Sequence, residues 1–468
     1  MSDQQMVLPV DTVMYYAQEV AAVIATSRYE AADGVAAVEV DYEPMTPVLD
    51  PHKALESDTP VIRADKQSNR IWHWEVGNRA AVDDELANAD VVVAEDIYIP
   101  RIHVASMETC GCVAKWDPVE GHLTLYMTTQ APHAIRTVVA LVTGHLGLME
   151  HKIRVIAPDI GGGFGGKVPV YPGYVLATAA SVLTGAPVKW IEDRTENLQA
   201  DSFARDYHIH GELAATKDGK ITAMKMGVVA DHGAFDSAAN PSKFPAGLFS
   251  IATGSYDFQK AFAEVDGVYT NKPPGGIAYR CSFRVTEAVH AIERMVDVLA
   301  QKLEMDPTTL REKNFIKPEQ FPYKSATGWE YDSGNYQAAL DKAKQIIGYD
   351  ALRQEQKEKR AKGELMGIGI STFTEIVGAG PSHTFDSLGI KMFDSAEIRI
   401  HPTGKVIAAW ERNRKDRDTK PRTRKLSRKS WGFPKMMWQS KKATRIPRRT
   451  DSVPTRRVRH QHQAQQQQ

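Results

Sequence analysis

Residues 154–184 read RVIAPDIGGGFGGKVPVYPGYVLATAASVLT, and this stretch decides the fold class. An apolar strand pattern at residues 154–158 leads into a glycine loop, Gly161-Gly-Gly-Phe-Gly-Gly166, and then into an apolar helix near residues 174–184. A strand joined through a glycine turn to a helix is typical of a fold in which helices cover a sheet. We therefore predict an α+β protein.

Further strands are predicted on both sides of this stretch. Asp218-Gly219 between two alternating runs, residues 208–214 and 221–230, is a hairpin signal. Apolar or alternating patterns predict the other strands at residues 19–25, 37–42, 90–95, 123–126, 152–157 and 366–372.

Helices are predicted mainly after the hairpin. Residues 285–303 carry apolar side chains at a spacing of three to four, which predicts one buried helix face. Those side chains are Val285, Val289, Ile292, Val296 and Leu299. Asp306 and Pro307 are typical of the start of the next helix. Shorter helices are predicted at residues 29–32 and 353–362.

Length, hydrophobic content and charge limit the class of protein. The chain has 468 residues with 42% hydrophobic content, enough for roughly three domains. Its formal net charge is +0, but residues 411–460 hold 19 Lys/Arg and 4 Asp/Glu. An acidic body therefore carries a strongly basic tail. Because the periodicity ends after about Ala408, we predict low complexity and no regular structure in that tail.

Only three cysteines are present, Cys110, Cys112 and Cys281. They are too few for a disulfide framework, and the residues after Met1 have no apolar signal core, so we predict a reducing, cytoplasmic location. The longest apolar runs, such as residues 138–142, fall short of the ~20 residues that a membrane span needs. Iron–sulfur clusters usually take four Cys ligands, so electrons from any redox site here would leave through a partner.

The glycine loop allows two interpretations. Its backbone N–H groups could cradle an anion near a helix N-terminus, or the loop could be a plain tight turn, which we favour slightly. Phe164 interrupts the repeat and no ribose-binding acid follows, so it is not a dinucleotide fingerprint.

Cys281 lies between Arg280 and Arg284, after a loop with two prolines and two glycines and before the helix at residue 285. Positive neighbours and a helix N-terminus favour a thiolate, which is a soft ligand suited to Cu(I). The alternative is an inert buried cysteine, and the local pattern alone slightly favours it.

Three other motifs are better explained without a ligand. Cys110-Gly-Cys112 lacks a second pair, so structural cysteines are favoured over a metal site. Gln130-Ala-Pro-His133 offers an amide and an imidazole, but an ordinary polar loop explains it by itself. In residues 231–235, His232 is predicted to be a hydrogen-bonded histidine at a strand end.

Taken together, these segments resemble the large, molybdenum-binding subunit of aerobic carbon monoxide dehydrogenase, within the xanthine dehydrogenase and aldehyde oxidase group. The resemblance runs from Gln18 to about Val406. The matching segments are Glu108-Thr-Cys-Gly-Cys112, Gln130-Ala-Pro-His133, Asp159-Ile-Gly-Gly-Gly-Phe-Gly165, Phe203-Ala-Arg-Asp-Tyr207, Ala278-Tyr-Arg-Cys-Ser-Phe-Arg284 and Phe373-Thr-Glu-Ile-Val-Gly-Ala-Gly380.

The resemblance implies a molybdopterin cytosine dinucleotide cofactor whose molybdenum is joined through a sulfide to copper on Cys281. It implies a reaction in which CO and water give CO2, two electrons and two protons. The implied catalytic residues are Cys281, Gln130, Arg280 and Ser282. The implied cofactor-binding residues are Gln130, Gly162, Gly163, Phe164, Gly165, Arg280 and Arg284.

The resemblance also implies an organisation. Residues 1–58 would be the end of a hammerhead-type α/β domain, residues 70–335 the first molybdopterin-binding domain, and residues 350–408 the start of the second. The implied partners are an iron–sulfur small subunit and an FAD-containing medium subunit, assembled as a dimer of heterotrimers, with peripheral association with the inner membrane and no nucleic acid.

The family's chain is longer at both ends, and its catalytic glutamate has no counterpart here, so we expect a fragment that is inactive alone. Residues 409–468 are expected to be a non-native, disordered tail. Re-reading the codons after Trp410 in another frame permits a Gln-Gly-Gln-Gly-His segment typical of the family, which predicts a frameshift near Ala408. The alternatives are an aldehyde- or purine-type molybdenum hydroxylase, and a protein whose basic tail binds nucleic acid with steep salt dependence.

Overall fold

The computed structural model is a mixed helix and sheet protein, which confirms the α+β prediction. The residues that it describes are 5–237, 244–277, 285–374, 396–403, 405–410, 438–440 and 456–460.

In these residues the helices are α1 (Arg28–Ala36), α2 (Arg79–Asn88), α3 (Pro132–Thr143), α4 (Pro172–Thr184), α5 (Arg194–Ala200), α6 (Val285–Lys302), α7 (Pro307–Asn314), α8 (Tyr336–Ile347) and α9 (Tyr349–Ala361). Short 3-10 helices lie at Lys53–Leu55, Gly144–Leu146, Glu150–Lys152 and Pro318–Gln320, with a π-helical turn at Phe244–Phe249. The strands are β1 (Ala22–Ala25), β2 (Arg70–Gly77), β3 (Val91–Ile99), β4 (Gly111–Asp117), β5 (His122–Met127), β6 (Ile153–Ile156), β7 (Val188–Ile191), β8 (Tyr207–Ala215), β9 (Ile221–Asp231), β10 (Lys260–Val268), β11 (Tyr323–Lys324), β12 (Glu330–Tyr331), β13 (Ala396–Ile400), β14 (Val406–Trp410), β15 (Trp438–Ser440) and β16 (Arg456–His460).

A six-stranded sheet in the order β1-β16-β7-β4-β5-β6 carries the glycine loop. Helices α3 and α4 pack on it around a core that includes Leu123, Leu125, Ile135, Val139 and Tyr174. Strands β5 and β6 are parallel, whereas β4 runs antiparallel to both β5 and β7. The ends of β5, β6 and β7 and the start of β4 therefore meet at one edge of the sheet. This edge is where the candidate site lies.

A second sheet has five strands in the order β2-β10-β9-β8-β3. The predicted hairpin is confirmed, because β8 and β9 pair antiparallel on either side of Asp218-Gly219. Helix α6 packs on this sheet with Val285, Ile292, Val296 and Leu299 buried and Val289 partly buried, as its spacing predicts.

The predicted start of α7 is also confirmed. The Asp306 side chain accepts a hydrogen bond from the Thr308 N–H, and Pro307 is the first helical residue. A carboxylate at this position satisfies an N–H group that the helix itself cannot pair.

Two predicted strands are wrong. Residues 37–41 and 366–372 alternate in exposure along the chain, as a strand would, yet neither predicted strand pairs with a neighbouring strand among the described residues. A strand requires a partner for its ladder of hydrogen bonds, and the amino-acid pattern reports only the extended conformation.

The tail also departs from its prediction where it is described. Residues 438–440 and 456–460 form β15 and β16, which pair in parallel with β14 and β7. Residues 411–437, 441–455 and 461–468 lie outside the described residues.

None of the helices described here combines the length and the apolar content that crossing a bilayer requires.

Candidate functional site

The glycine loop between β6 and α4 has a backbone that ordinary residues rarely adopt. Gly162 and Gly165 have φ values of 94° and 101°, and Phe164 between them has a φ of 49°. Positive φ is inexpensive for glycine and costly for phenylalanine. Gly162, Gly163 and Gly165 are buried and Phe164 is half-buried. The loop is therefore held in one shape by its surroundings.

Gln130 supplies part of that constraint. It lies just after β5, which is the parallel neighbour of β6, so its side chain reaches the loop at the shared edge. Its Oε1 accepts hydrogen bonds from the N–H groups of Gly165 at 2.8 Å and Lys167 at 3.3 Å. Two donors on one oxygen fix the orientation of the amide. Among the described residues no partner binds Nε2, so its N–H groups remain donors for a ligand.

Gly163 allows this close approach. A Cβ atom at Gly163 would lie 2.5 Å from both Cδ and Oε1 of Gln130. That separation is far inside van der Waals contact, so a larger residue would displace the amide.

Glu108 links the two ends of the loop through a hydrogen bond at one end and an ion pair at the other. Glu108, which precedes β4, accepts a hydrogen bond from the Gly161 N–H at 2.6 Å on Oε2, and the same oxygen lies 2.9 Å from Lys167 Nζ. Lys167 is 1% exposed and Glu108 is 41% exposed. Tyr171 adds a hydrogen bond from its hydroxyl to the Gly166 carbonyl at 2.6 Å.

The backbone bonds of the loop limit the anion-cradle interpretation. The N–H groups of Gly161, Gly165 and Gly166 donate to Glu108, Gln130 and the Gly163 carbonyl. Among the described residues, the N–H groups of Gly162 and Gly163 make no such bond. A cradle would therefore consist of these two groups and the Gln130 amide.

A layer of buried acids lies at the same edge of the sheet. Glu192 follows β7 and accepts a hydrogen bond from the Cys110 N–H at 2.7 Å, and Asn197 donates to Asp201 at 2.7 Å. Burial raises the pKa of Glu192, and burial together with the neighbouring Glu192 raises the pKa of Asp201. Burial also raises the pKa of Glu19 to about 8. Each of these carboxyl groups therefore keeps its proton to a higher pH than an exposed acid does.

Cys110 and Cys112 are buried and form no disulfide. Burial raises the pKa of Cys110 well above its usual range and that of Cys112 to about 12. Both are protonated thiols at neutral pH, as expected of structural cysteines.

Near its start, the loop that leads to Cys281 contributes Lys272 to a cluster of charged side chains with the buried Asp206 and Asp231. Lys272 Nζ lies 2.7 Å from Asp231 Oδ2 and 3.2 Å from Asp206 Oδ2, and Arg101 Nη1 lies 3.1 Å from the same Asp206 oxygen. The Gly275 N–H donates to the His232 carbonyl at 2.6 Å.

His232 is fully buried, and its Nδ1 lies 2.8 Å from Asp236 Oδ1. The hydrogen bond predicted for this strand-end histidine is therefore present at Nδ1.

Gln130, Gly162, Gly163, Phe164 and Gly165 lie together, as the sequence predicts. The other predicted site residues, Arg280, Cys281, Ser282 and Arg284, lie outside the described residues.

Sequence reasoning missed the roles of Glu108 and Lys167. A lysine directly after the glycine loop, opposite a glutamate that precedes a strand, was the available signal.

Comparison with known proteins identifies the type of domain. Residues 62–315 match the model of the molybdopterin cofactor-binding domain. The chain is 58% identical over 424 residues to the carbon monoxide dehydrogenase large chain of Afipia carboxidovorans, covering 87% of this chain and 52% of that protein.

Solved structures of CO dehydrogenases also resemble this chain. Reconstituted CO dehydrogenase from Oligotropha carboxidovorans matches with a TM-score of 0.89 and 54% identity, covering 94% of this chain and 57% of that one. A Cu,Mo-CO dehydrogenase in its carbon monoxide reduced state gives the same TM-score, identity and coverage. The chain spans about half the length of the curated relatives it matches.

Proposed function

Because this chain belongs to the molybdopterin cofactor-binding domain family, we propose that it is part of the large catalytic subunit of a molybdenum–copper carbon monoxide dehydrogenase. The reaction would convert CO and water to CO2, two protons and two electrons. The identity of 58% to a carbon monoxide dehydrogenase large chain supports this substrate over others. The nicotine 6-hydroxylase large subunit of Paenarthrobacter nicotinovorans is 33% identical to this chain.

The observation that carries the proposal is the Gln130 amide against the glycine loop. Its oxygen is occupied by the Gly165 and Lys167 N–H groups, so its nitrogen offers hydrogen bonds to a ligand. Gly163 provides a surface without a side chain beside it. A fixed amide donor beside bare backbone fits an oxo-bearing metal centre and its pterin.

We propose that Gln130, Gly162, Gly163, Phe164 and Gly165 hold a molybdopterin cofactor in its cytosine dinucleotide form. The cofactor would supply the two-electron redox chemistry. Gln130 would orient an oxygen ligand by donating from Nε2, and the buried loop would exclude water from that side. Arg280 and Arg284 would bind the cofactor as cations, with Arg280 and Ser282 beside the reacting centre.

Cys281 would provide the thiolate ligand for copper. A soft Cu(I) ion suits CO, whereas a hard oxo centre suits the oxygen that is transferred. The flanking Arg280 and Arg284 support the thiolate form.

Electrons would leave the complex through an iron–sulfur subunit and then an FAD subunit, in a dimer of heterotrimers. The location would be cytoplasmic, with peripheral association with the inner membrane. The proposed domains are residues 1–58, 70–335 and 350–408.

The test uses the complete enzyme complex that contains this subunit. Cys281→Ser should abolish CO-dependent dye reduction and remove copper, while molybdenum content stays near that of the wild type. Cys112→Ser, at a buried thiol with no proposed role as a metal ligand, is the matched control and should keep both metals. Undiminished CO oxidation in Cys281→Ser would overturn the copper role. Oxidation of aldehydes or purines without CO oxidation in the wild type would favour the alternative hydroxylase.

A further inference from the structure

An imidazole and three carboxylates meet on one face of the five-stranded sheet, away from the glycine loop. His73 and Glu75 lie on β2, and Glu264 and Asp266 lie on β10. The antiparallel register places Glu75 opposite Glu264 and His73 opposite Asp266. Residues two apart on a strand point to the same side, so all four side chains share a face.

The imidazole is oriented by its neighbours. His73 Nδ1 lies 2.9 Å from Asp266 Oδ1, and Arg70 Nε lies 2.9 Å from the same oxygen. An N–H at Nδ1 therefore donates to Asp266, which leaves the Nε2 lone pair free to bind a metal. A carboxylate behind a histidine is the usual support for a histidine that ligates a metal.

Nε2 faces two further carboxylates. It lies 3.9 Å from Glu75 Oε2 and 3.9 Å from Glu264 Oε2, and ligand atoms of the three residues lie within 4.8 Å of one another. Small side-chain rotations would bring all three to the distance of about 2.0–2.2 Å at which nitrogen and oxygen bind zinc.

The charge of the cluster favours a cation. Glu75 and Glu264 are directly opposite on neighbouring strands, and like charges in that arrangement are destabilising. Arg79 pairs with Glu264 and Arg70 with Asp266, so three carboxylates face two guanidinium groups. The Glu264 oxygen that faces Nε2 is the one that pairs with Arg79, so a divalent ion between Glu75 and Glu264 would take the place of Arg79 on that oxygen.

A fourth ligand can come from solvent. His73 and Glu75 are 37% and 61% exposed, so water reaches this face of the sheet and could complete a tetrahedral zinc site.

We propose that His73, Glu75 and Glu264 form a zinc site, with Asp266 holding the imidazole, separate from the proposed molybdenum and copper centre.

Equilibrium dialysis of the full chain against Zn²⁺, with metal analysis of the protein, tests this site. The wild type should bind one more zinc per chain than His73→Ala, and Glu75→Gln should also lose this zinc. Asp266→Asn should weaken binding about 10- to 100-fold, because it removes only the support of the ligand. Zinc should raise the melting temperature of the wild type more than that of His73→Ala.

His210→Ala is the matched control. His210 is also exposed on this sheet, and its Nδ1 lies 2.7 Å from Asp96 Oδ1, but no second carboxylate is paired with it among the described residues. This variant should bind zinc like the wild type. Equal zinc content in the wild type and His73→Ala, or equal losses in His210→Ala and His73→Ala, would overturn the proposal.

Discussion

Lys167 and Glu108 form an ion pair whose two members differ sharply in exposure, 1% for the lysine and 41% for the glutamate. Glu108→Ala would leave a buried ammonium unpaired and should lower the free energy of unfolding by about 2–3 kcal/mol. Lys167→Met leaves a carboxylate that water can reach, so its cost should be about 1 kcal/mol. Urea denaturation of both variants checks this order.

Glu120→Gln, at an exposed acid in the turn between β4 and β5, serves as the control and should change little. Equal losses in Glu108→Ala and Lys167→Met would show that burial of the lysine does not determine the effect.

Glu19 makes stability depend on pH. Burial raises its pKa from 4.5 to about 8 in the folded protein, so between these values the folded state holds a proton that the unfolded state has lost. Stability should therefore fall as pH rises from about 5 to 8. Glu19→Gln should remove part of this slope, as measured by denaturation at several pH values. The exposed Glu56→Gln should keep the full slope, and an identical slope in Glu19→Gln would contradict the assignment.

Among individual residues, the sequence predicts those whose role follows from a local pattern. Gln130 and the loop glycines occur in short motifs, and the structure brings them together. Glu108 and Lys167 are 59 positions apart, and their contact depends on the pairing of three strands, β4, β5 and β6. No local pattern contains that information. The same holds for Glu19, whose pKa depends on neighbours far along the chain.

Helix α6 is the element whose prediction is best supported, and it allows a direct test of its buried face. Ile292 is fully buried in the core between α6 and the five-stranded sheet. Ile292→Ala should cost about 2–5 kcal/mol through lost burial and the cavity left behind. His290→Ala, on the exposed side of the same helix, should change the unfolding free energy by less than about 0.5 kcal/mol. Similar denaturation midpoints for the two variants would mean that the helix face was assigned wrongly.

The success of each element's prediction depends on whether its signal is local. The hairpin around Asp218-Gly219 and the α7 start at Asp306 depend on turn and capping chemistry within a few residues, and both are confirmed. Residues 37–42 and 366–372 have the alternation of strands, yet pair with no strand in the described part of the chain. Pairing is a tertiary property that alternation alone does not specify.

For the whole molecule, the uneven charge leads to a prediction about the gene. Residues 411–460 carry 19 Lys/Arg against 4 Asp/Glu, while the rest of the chain is acidic. A shifted reading frame after about codon 408 would account for this contrast, and it stays a prediction. Resequencing the locus should reveal a frame encoding Gln-Gly-Gln-Gly-His just after codon 410. If it does not, the basic tail needs a function of its own.

The arrangement of the glycine loop also sets an order of assembly. Glu108, Gln130 and Lys167 come from three separate segments, and they meet only when β4, β5 and β6 already lie side by side. Those contacts help to hold the positive φ of Phe164. We therefore expect the sheet to form before the loop takes this shape, so that a cofactor would arrive at a finished surface. Maturation of such a subunit would be limited by delivery of the cofactor and by access to this edge, rather than by refolding around it.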